Sequence, residues 1–454
     1  MRRAASVCAL VILAAVGFLG MNASPALAHN TFESSSPAEG EVLAASPATW
    51  TVRFAKSVPL VSASGSVVDG DGTRTSLTAP RHGESDSVIV FDLPTGLEGA
   101  VTARWRLVST DGHVISGRVG FTVSPGPAPT QPAVSPGATT ATTPAPSTVP
   151  VAPVAAEDNE DTGVPQPART ALRLLNYLSI VLLGGIFFVD LDIASGALMT
   201  VRGRRLAAWG VSGAAVIPGI QFLVFVDDLR TAGTGLVSAV MDSLSLTPGA
   251  MLALRTVTGT AAAVLVFGAL RVGRLERPLL RLLGVLSVAY LVALAYVGHS
   301  RSRSFPLLGV PADVLHTAAA AMWLGGLAAL LFVVVPVVQG DSALVAFRRF
   351  GVPAQRAVAV IAVTGVVQTA RLHGGVTSLF TGGHGLLLLA KVSLVVMMLR
   401  LAAHNRRLLH SGAAPDGLRA GRTKEIVLRA TAREAALGLG VIALTAVLVA
   451  VSPG

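Results

Sequence analysis

Three residues in the first quarter of the chain have the chemistry to hold a metal ion: His29, Asp111 and His113. Arg2 and Arg3, an apolar run from Val7 to Leu19 and an A-x-A site at Ala26-Leu27-Ala28 have the layout of a secretion leader. Cleavage after Ala28 makes His29 the first mature residue. A terminal histidine offers its amino nitrogen and its imidazole to one ion, His113 adds a second imidazole, and Asp111 adds a carboxylate oxygen. Such a mixed nitrogen and oxygen set suits Cu(II) in tetragonal geometry. The single cysteine, Cys8, lies inside the leader, so the mature chain has no thiolate ligand, disulfide or cysteine nucleophile. A metal-free reading stands beside this one. Asp111-Gly112 is a turn sequence, and a turn followed by a strand-edge histidine accounts for an isolated Asp-Gly-His.

A second set of ionisable residues falls among long apolar runs, where charge is costly and marks pathways or sites. Asp313 and His316 are three apart and share a helix face. His299 ends the preceding apolar run, His373 ends the following one, and His384 opens the next with Lys391 seven residues on. His299 and His316 are the candidate metal-handling pair, with Asp313 orienting an imidazole. Histidines at the ends of membrane helices also sit at the interface without any metal, a reading that fits His373 and His384 in their Gly-rich surroundings. His404 and His410, among arginines, read as headgroup-facing, and Met397-Met398 as lipid-facing packing.

The elements that position these residues divide the chain in four. Residues 1–28 are the leader, and 29–124 are polar with short alternating runs. Trp50, Val52 and Phe54 alternate with Thr51 and Arg53, and Val101, Ala103, Trp105 and Leu107 with Thr102, Arg104 and Arg106. Period two marks half-buried strands, and further strands read at 61–68, 73–79, 86–93 and 114–123. Asp69-Gly70 and Asp71-Gly72 are hairpin turns between them. Several short strands with regular turns predict a β-sandwich or barrel. His82, in Pro80-Arg81-His82-Gly83, reads as a solvated loop residue. Residues 125–168 are rich in Pro, Thr, Ala and Ser and form an extended, semi-stiff linker.

Residues 169–454 are the reason why 52% of the chain is hydrophobic and only 13% charged. Apolar runs at 171–190, 206–227, 250–270, 279–298, 312–338, 354–371, 384–404 and 433–451 each approach the roughly 20 residues needed to span a bilayer. The fold expected is an all-α polytopic bundle of about eight helices. The more polar segment 229–247 is an interfacial helix or loop. The formal charge of +10 does not indicate nucleic acid. Arg202, Arg204 and Arg205, then Arg271, Arg274 and Arg277, then Arg348, Arg349 and Arg356, and last the stretch Arg406–Arg433 fall in alternate loops. Those loops are cytoplasmic by the positive-inside rule. Eight spans then put both ends of the bundle outside, in agreement with a β-domain exported by the leader.

With these residues in place the N-terminal part resembles the CopC family of extracytoplasmic copper-binding proteins. His29, Ser36-Pro37-Ala38 and Val108-Ser109-Thr110-Asp111-Gly112-His113 leading to Gly117 and Phe121 carry the resemblance. It implies a Greek-key sandwich or barrel with His29, Asp111 and His113 as Cu(II) ligands. The methionine-rich Cu(I) site of some members is not expected, because no methionine lies between His29 and Val123. Residues 170–451 resemble the CopD family. The match rests on Leu183-Gly184-Gly185, Gly298-His299, Asp313, His316, Trp323-Leu324-Gly325-Gly326, Lys391, Asn405-Arg406 and Glu434-Ala435-Ala436-Leu437-Gly438. The whole resembles a CopC–CopD fusion assigned to copper uptake or resistance.

The resulting expectation is a non-enzymatic multi-pass protein of the cytoplasmic membrane that captures Cu(II) outside and passes copper inward. Its partners are copper ions, the lipid bilayer and, as candidate donors, extracytoplasmic copper chaperones. No phosphate loop of the G-x-x-x-x-G-K-[ST] kind is present, so its own domains supply no ATP-driven step. Two other classes stay open: a copper buffer or sensor without transport, and a membrane redox protein with copper or haem.

Overall fold

The computed structural model describes residues 32–60, 63–77, 79–108, 114–124, 164–229, 235–297, 306–337, 342–372, 383–410 and 417–449. They form two units, each described by itself below.

The first unit is a two-sheet sandwich. One sheet has the order β1 (Phe32–Ser36), β3 (Thr49–Phe54), β7 (Val88–Asp92), β6 (Arg81–His82). The other runs β2 (Val42–Leu43), β9 (Val114–Val123), β8 (Gly99–Val108), β4 (Ser64–Val68), β5 (Arg74–Leu77). The chain crosses between sheets after β1, β2, β3, β5 and β7, which is the crossing pattern that a Greek-key sandwich requires. Alternation dictates the interior. Trp50, Val52 and Phe54 of β3 are at most 1% exposed, while Thr49, Thr51 and Arg53 between them are half-buried. Trp50 stacks on Phe91 at 5.3 Å, and Phe54 meets Trp105 of the opposite sheet edge-on at 4.9 Å. The Asp69–Gly72 turn joins β4 and β5 as the sequence predicts, with the Thr73 amide donating to Asp69 and Asp71 carboxylates.

Gly117, beside Trp105 in register, is required by that ring. A Cβ there would lie 2.6 Å from Trp105 Cζ2. His82 departs from the loop expected of it: it belongs to β6, and its Nε2 is 2.9 Å from the Val58 carbonyl oxygen. The imidazole ties down the segment after β3, so it is a structural residue of the sandwich.

The second unit is helical. Its elements are α1 (Gln166–Phe188), α2 (Val201–Leu229), α3 (Leu236–Ser245), α4 (Thr247–Val272), α5 (Arg277–Val297), α6 (Pro306–Ala329), α7 (Ser342–Leu372), α8 (Gly383–His410) and α9 (Gly417–Leu448). All but α3 are long and apolar enough to cross a membrane, eight in agreement with the expected number. α3 is the short helix expected within 229–247, and it exposes Leu236, Val237, Met241 and Leu244. α1 and α6 each run on into a π-helical turn, Val189–Ile193 and Leu330–Val334.

α1 and α6 cross at glycines. A Cβ on Gly185 would lie 2.0 Å from the Gly325 carbonyl carbon, so the two backbones are in direct contact. Gly184 meets Ala321 of α6 at the same crossing, whereas Gly326 lies against the Phe350 ring of α7. α1 is also clamped to the end of α2, where Arg169 donates to both Asp228 carboxylate oxygens at 2.6 Å. Met398 is fully buried in the helix core, contrary to a lipid-facing pair, whereas Met397 is 45% exposed.

Candidate metal centre

α6 and α7 run antiparallel, and their polar residues match in reverse order. Asp313 and His316 are one turn apart on α6, and Gln368 and Thr364 one turn apart on α7. His316 Nδ1 is 2.9 Å from Thr364 Oγ1, and Gln368 Nε2 donates to Asp313 Oδ1 at 3.0 Å. Lys391 of α8 is close enough for its charge to act on Asp313 and His316. Arg371 of α7 and Tyr177 of α1 also act on Asp313. One polar patch thus links α1, α6, α7 and α8 within otherwise apolar spans.

Hydrogen-bond donors decide which imidazole nitrogen is available. The Thr364 hydroxyl donates to the Val360 carbonyl at 2.6 Å, which uses its only proton. Towards His316 it therefore accepts, and Nδ1 carries the proton. Nε2 is left as the lone-pair nitrogen, the form in which a neutral histidine ligates a metal. Thr364 is 6% exposed, so this orientation is held inside the bundle. The partner given to the imidazole is Thr364, whereas Asp313, expected to fill that role, accepts from Gln368.

Of the expected ligands, His29, Asp111, His113 and His299 lie outside the described residues. β8 and β9 pair as far as Val108↔Val114, and Asp111 and His113 fall in the stretch 109–113 that follows. Among the described residues, no three His, Cys, Asp or Glu side chains converge on one point. His384 is buried at the start of α8, at 4% exposure, and His404 is exposed. His373 also lies outside the described residues.

Thr364 and Gln368 were not singled out in the sequence. Their signal was present, as two polar residues four apart in the apolar run Ile361–Gln368, but a Thr in a membrane helix bonds its own backbone too often to stand out. A further buried pair joins α8 to α9: Asn405 Nδ2 donates to Glu434 Oε1 at 2.5 Å, with the two residues 7% and 3% exposed.

Comparison with known proteins agrees with this layout. Residues 32–124 match the CopC domain, and residues 344–448, from α7 to α9, match Copper resistance protein D. His316 and Asp313 precede the second match. The chain is 25% identical over 412 residues to Copper transport protein CutJ of Bacillus subtilis (strain 168), covering 85% of this chain and 69% of that protein. Among solved structures it is similar to CopC from Methylosinus trichosporium OB3b, 28% identical over 21% of this chain and 93% of that one, with a TM-score of 0.19. It is also similar to PcoC, a methionine-rich copper resistance protein from Escherichia coli, 22% identical over 21% and 99% of the two chains, again with a TM-score of 0.19. A CopC domain and a CopD domain thus stand in one chain, which is homologous to the copper transport protein CutJ.

Proposed function

We propose that this protein acquires copper outside the cytoplasmic membrane and passes it inward through the helical unit. Copper handling as such follows from the two domains and from the CutJ homologue. The finer reading is a relay. Leader cleavage exposes the His29 amine, and His29, Asp111 and His113 hold Cu(II) at the β-domain. The ion then moves to His316, with His299 as its companion, and onward through the bundle. The positive-inside pattern of the basic loops supports an extracytoplasmic β-domain. The linker over residues 125–168 gives that domain reach.

The observation that carries the relay is His316. It is an imidazole within a membrane span, with Nδ1 tied to Thr364 and Nε2 left to ligate. Radiocopper flux into proteoliposomes of known orientation tests it, with full-length protein and protein lacking residues 29–124. Uptake that depends on the β-domain at low copper supports the relay. Copper retention on the outer face without flux identifies a buffer or sensor instead, and a Soret absorption in the purified protein identifies a haem protein.

A further inference from the structure

The outer face of the β2-β9-β8-β4-β5 sheet gathers arginine. Val101, Ala103, Trp105 and Leu107 of β8 point into the core, which turns Arg104 and Arg106 to the other face. Register sets Arg104 directly opposite Arg118 of β9 and beside Ser66 of β4. Arg74 of β5 reaches over from the far side and donates to the Ser66 hydroxyl at 3.4 Å. Four arginines from three strands thus share one surface. The domain as a whole is not basic, since residues 32–124 contain seven basic and ten acidic residues. On the opposite sheet the arginines are matched, Arg53 with Glu84 and Arg81 with Asp92. Among the described residues, Arg74, Arg104 and Arg118 make no ion pair, and the Arg104 Nε is buried with no hydrogen-bond partner. The carboxylates at the rim of the face are turned to backbone amides, Glu39 to Gly120, and Asp69 and Asp71 to Thr73.

Like charges directly opposite each other destabilise a sheet, so this face is complementary to a surface that brings negative charge. Guanidinium forks match phosphate oxygens in particular. A protein partner is held mainly by buried aromatic and apolar anchors. Here the only large apolar side chain exposed on the face, among the described residues, is Val42 at its edge. The chain also brings its own bilayer. Residues 125–163 are all that separate the sandwich from α1, a membrane span, and a tether of that kind holds the domain near lipid at roughly millimolar effective concentration. We propose that Arg74, Arg104, Arg106 and Arg118 dock the sandwich on anionic lipid headgroups, through their phosphates. Docking lays this sheet against the bilayer surface and leaves the other sheet, with its matched charges, facing water.

The test needs no copper, so it stands or falls apart from the relay. Full-length protein is placed in lipid nanodiscs. In a Cys8→Ser background, Ser116→Cys supplies the single thiol, on the exposed face opposite Arg106. A fluorophore there is quenched by spin-labelled headgroups when the face meets lipid. The expected result is quenching in equal phosphatidylcholine and phosphatidylglycerol and none in phosphatidylcholine alone. Quenching should be lost at about 1 M KCl, where charges are screened beyond about 3 Å. A label on Ser85→Cys, in the turn before β7 of the other sheet, should stay unquenched. Each arginine changed to Gln should lower the ratio of docked to free domain about 5-fold, the worth of one basic residue at an anionic surface. Arg104→Lys/Arg118→Lys keeps the charge and should keep most of the docking. If Arg104→Gln does not fold, Arg118→Gln, on an exposed position, decides by the same ratio. Absence of quenching in anionic discs overturns the proposal. So does equal quenching in both lipids or at both labels, or an unchanged ratio in every Gln variant that folds. Release by inorganic phosphate at constant ionic strength would mark a free-oxyanion site, and binding of a poly-aspartate peptide in preference to lipid an acidic protein partner; either overturns the lipid assignment.

Discussion

The imidazole of His316 and the hydroxyl of Thr364 meet at 2.9 Å between α6 and α7, and the donor count at Thr364 leaves Nε2 as the nitrogen with the lone pair. A site of this kind loses function through its orienting partner as well as through its ligand. His316→Ala should abolish copper flux in proteoliposomes while leaving Cu(II) binding by the β-domain unchanged. Thr364→Val keeps the shape and removes the acceptor, and should reduce flux by about 10–100-fold, with Thr364→Ser close to the parent. Full activity of Thr364→Val at equal expression would show that the ring needs no partner there. His404→Ala, on an exposed position, should have the smallest effect.

The terminal amine gives the second prediction. On the relay reading, the amino nitrogen of His29 is a ligand only after cleavage behind Ala28. Mature protein with one extra residue before His29 should bind Cu(II) far more weakly by calorimetric competition titration. Equal affinity of the two forms would remove the amine from the site.

How much of this was legible in the sequence depends on which force set each feature. Period two at Trp50, Val52 and Phe54 and at Val101 to Leu107 placed β3 and β8, because burial on one face of a pleated strand leaves that mark. The eight spans were legible from length and apolarity alone. The crossing of Gly185 with Gly325 was not, because periodicity on two separate helices does not say which will touch. His82 was read as a loop residue for a similar reason. Its partner, the Val58 carbonyl, is backbone and leaves no trace in side-chain spacing. Asp313 and His316 were visible as a pair, yet their partners Gln368 and Thr364 became evident only once α7 lay antiparallel beside α6.

Metal choice and pH response give a third prediction. A set of two imidazoles, one amine and one carboxylate has no soft donor, so the β-domain should prefer Cu(II) and bind Cu(I) weakly. Ligands bind as deprotonated groups, so protons compete with the metal. Affinity for Cu(II) should therefore rise with pH and fall as pH drops through the range where imidazole and amine protonate. A Cu(I) competition titration as tight as that for Cu(II), or an affinity flat from acid to neutral pH, would contradict the ligand set.

The glycine crossing predicts a stability effect separable from the site. Gly325→Leu drives a branched side chain into the α1 backbone, where a Cβ alone already lies 1.9 Å from the Val181 carbonyl oxygen. Overpacking of a close-packed interior costs about 1–3 kcal/mol and more where backbone is struck. The variant should show a lowered unfolding temperature in detergent and reduced yield in the membrane. Gly284→Leu, where a Cβ meets nothing within 4 Å, is the matched control and should unfold like the parent.

Glu434 gives the last prediction, and here charge and structure make opposite demands. A carboxyl group at 3% exposure within a membrane span is usually either a working charge or a hydrogen-bond pin. The residue acting on it is Asn405, a neutral amide donating from α8 at 2.5 Å, and no charged side chain among the described residues is set against it. A carboxylate without a cation would be costly at that depth, whereas an acceptor for the Asn405 amide is needed whatever its charge. The pin is therefore the role expected. Glu434→Gln keeps an acceptor oxygen facing Asn405 and should leave both unfolding temperature and copper flux close to the parent. Glu434→Leu strands a buried amide and should cost about 1–3 kcal/mol, the penalty of an unsatisfied polar group. The double variant Asn405→Leu/Glu434→Leu should recover part of that loss, since neither partner is then left unpaired. Should Glu434→Gln instead fold normally and lose flux, the proton or charge of Glu434 takes part in transport and the pin is only half of its role.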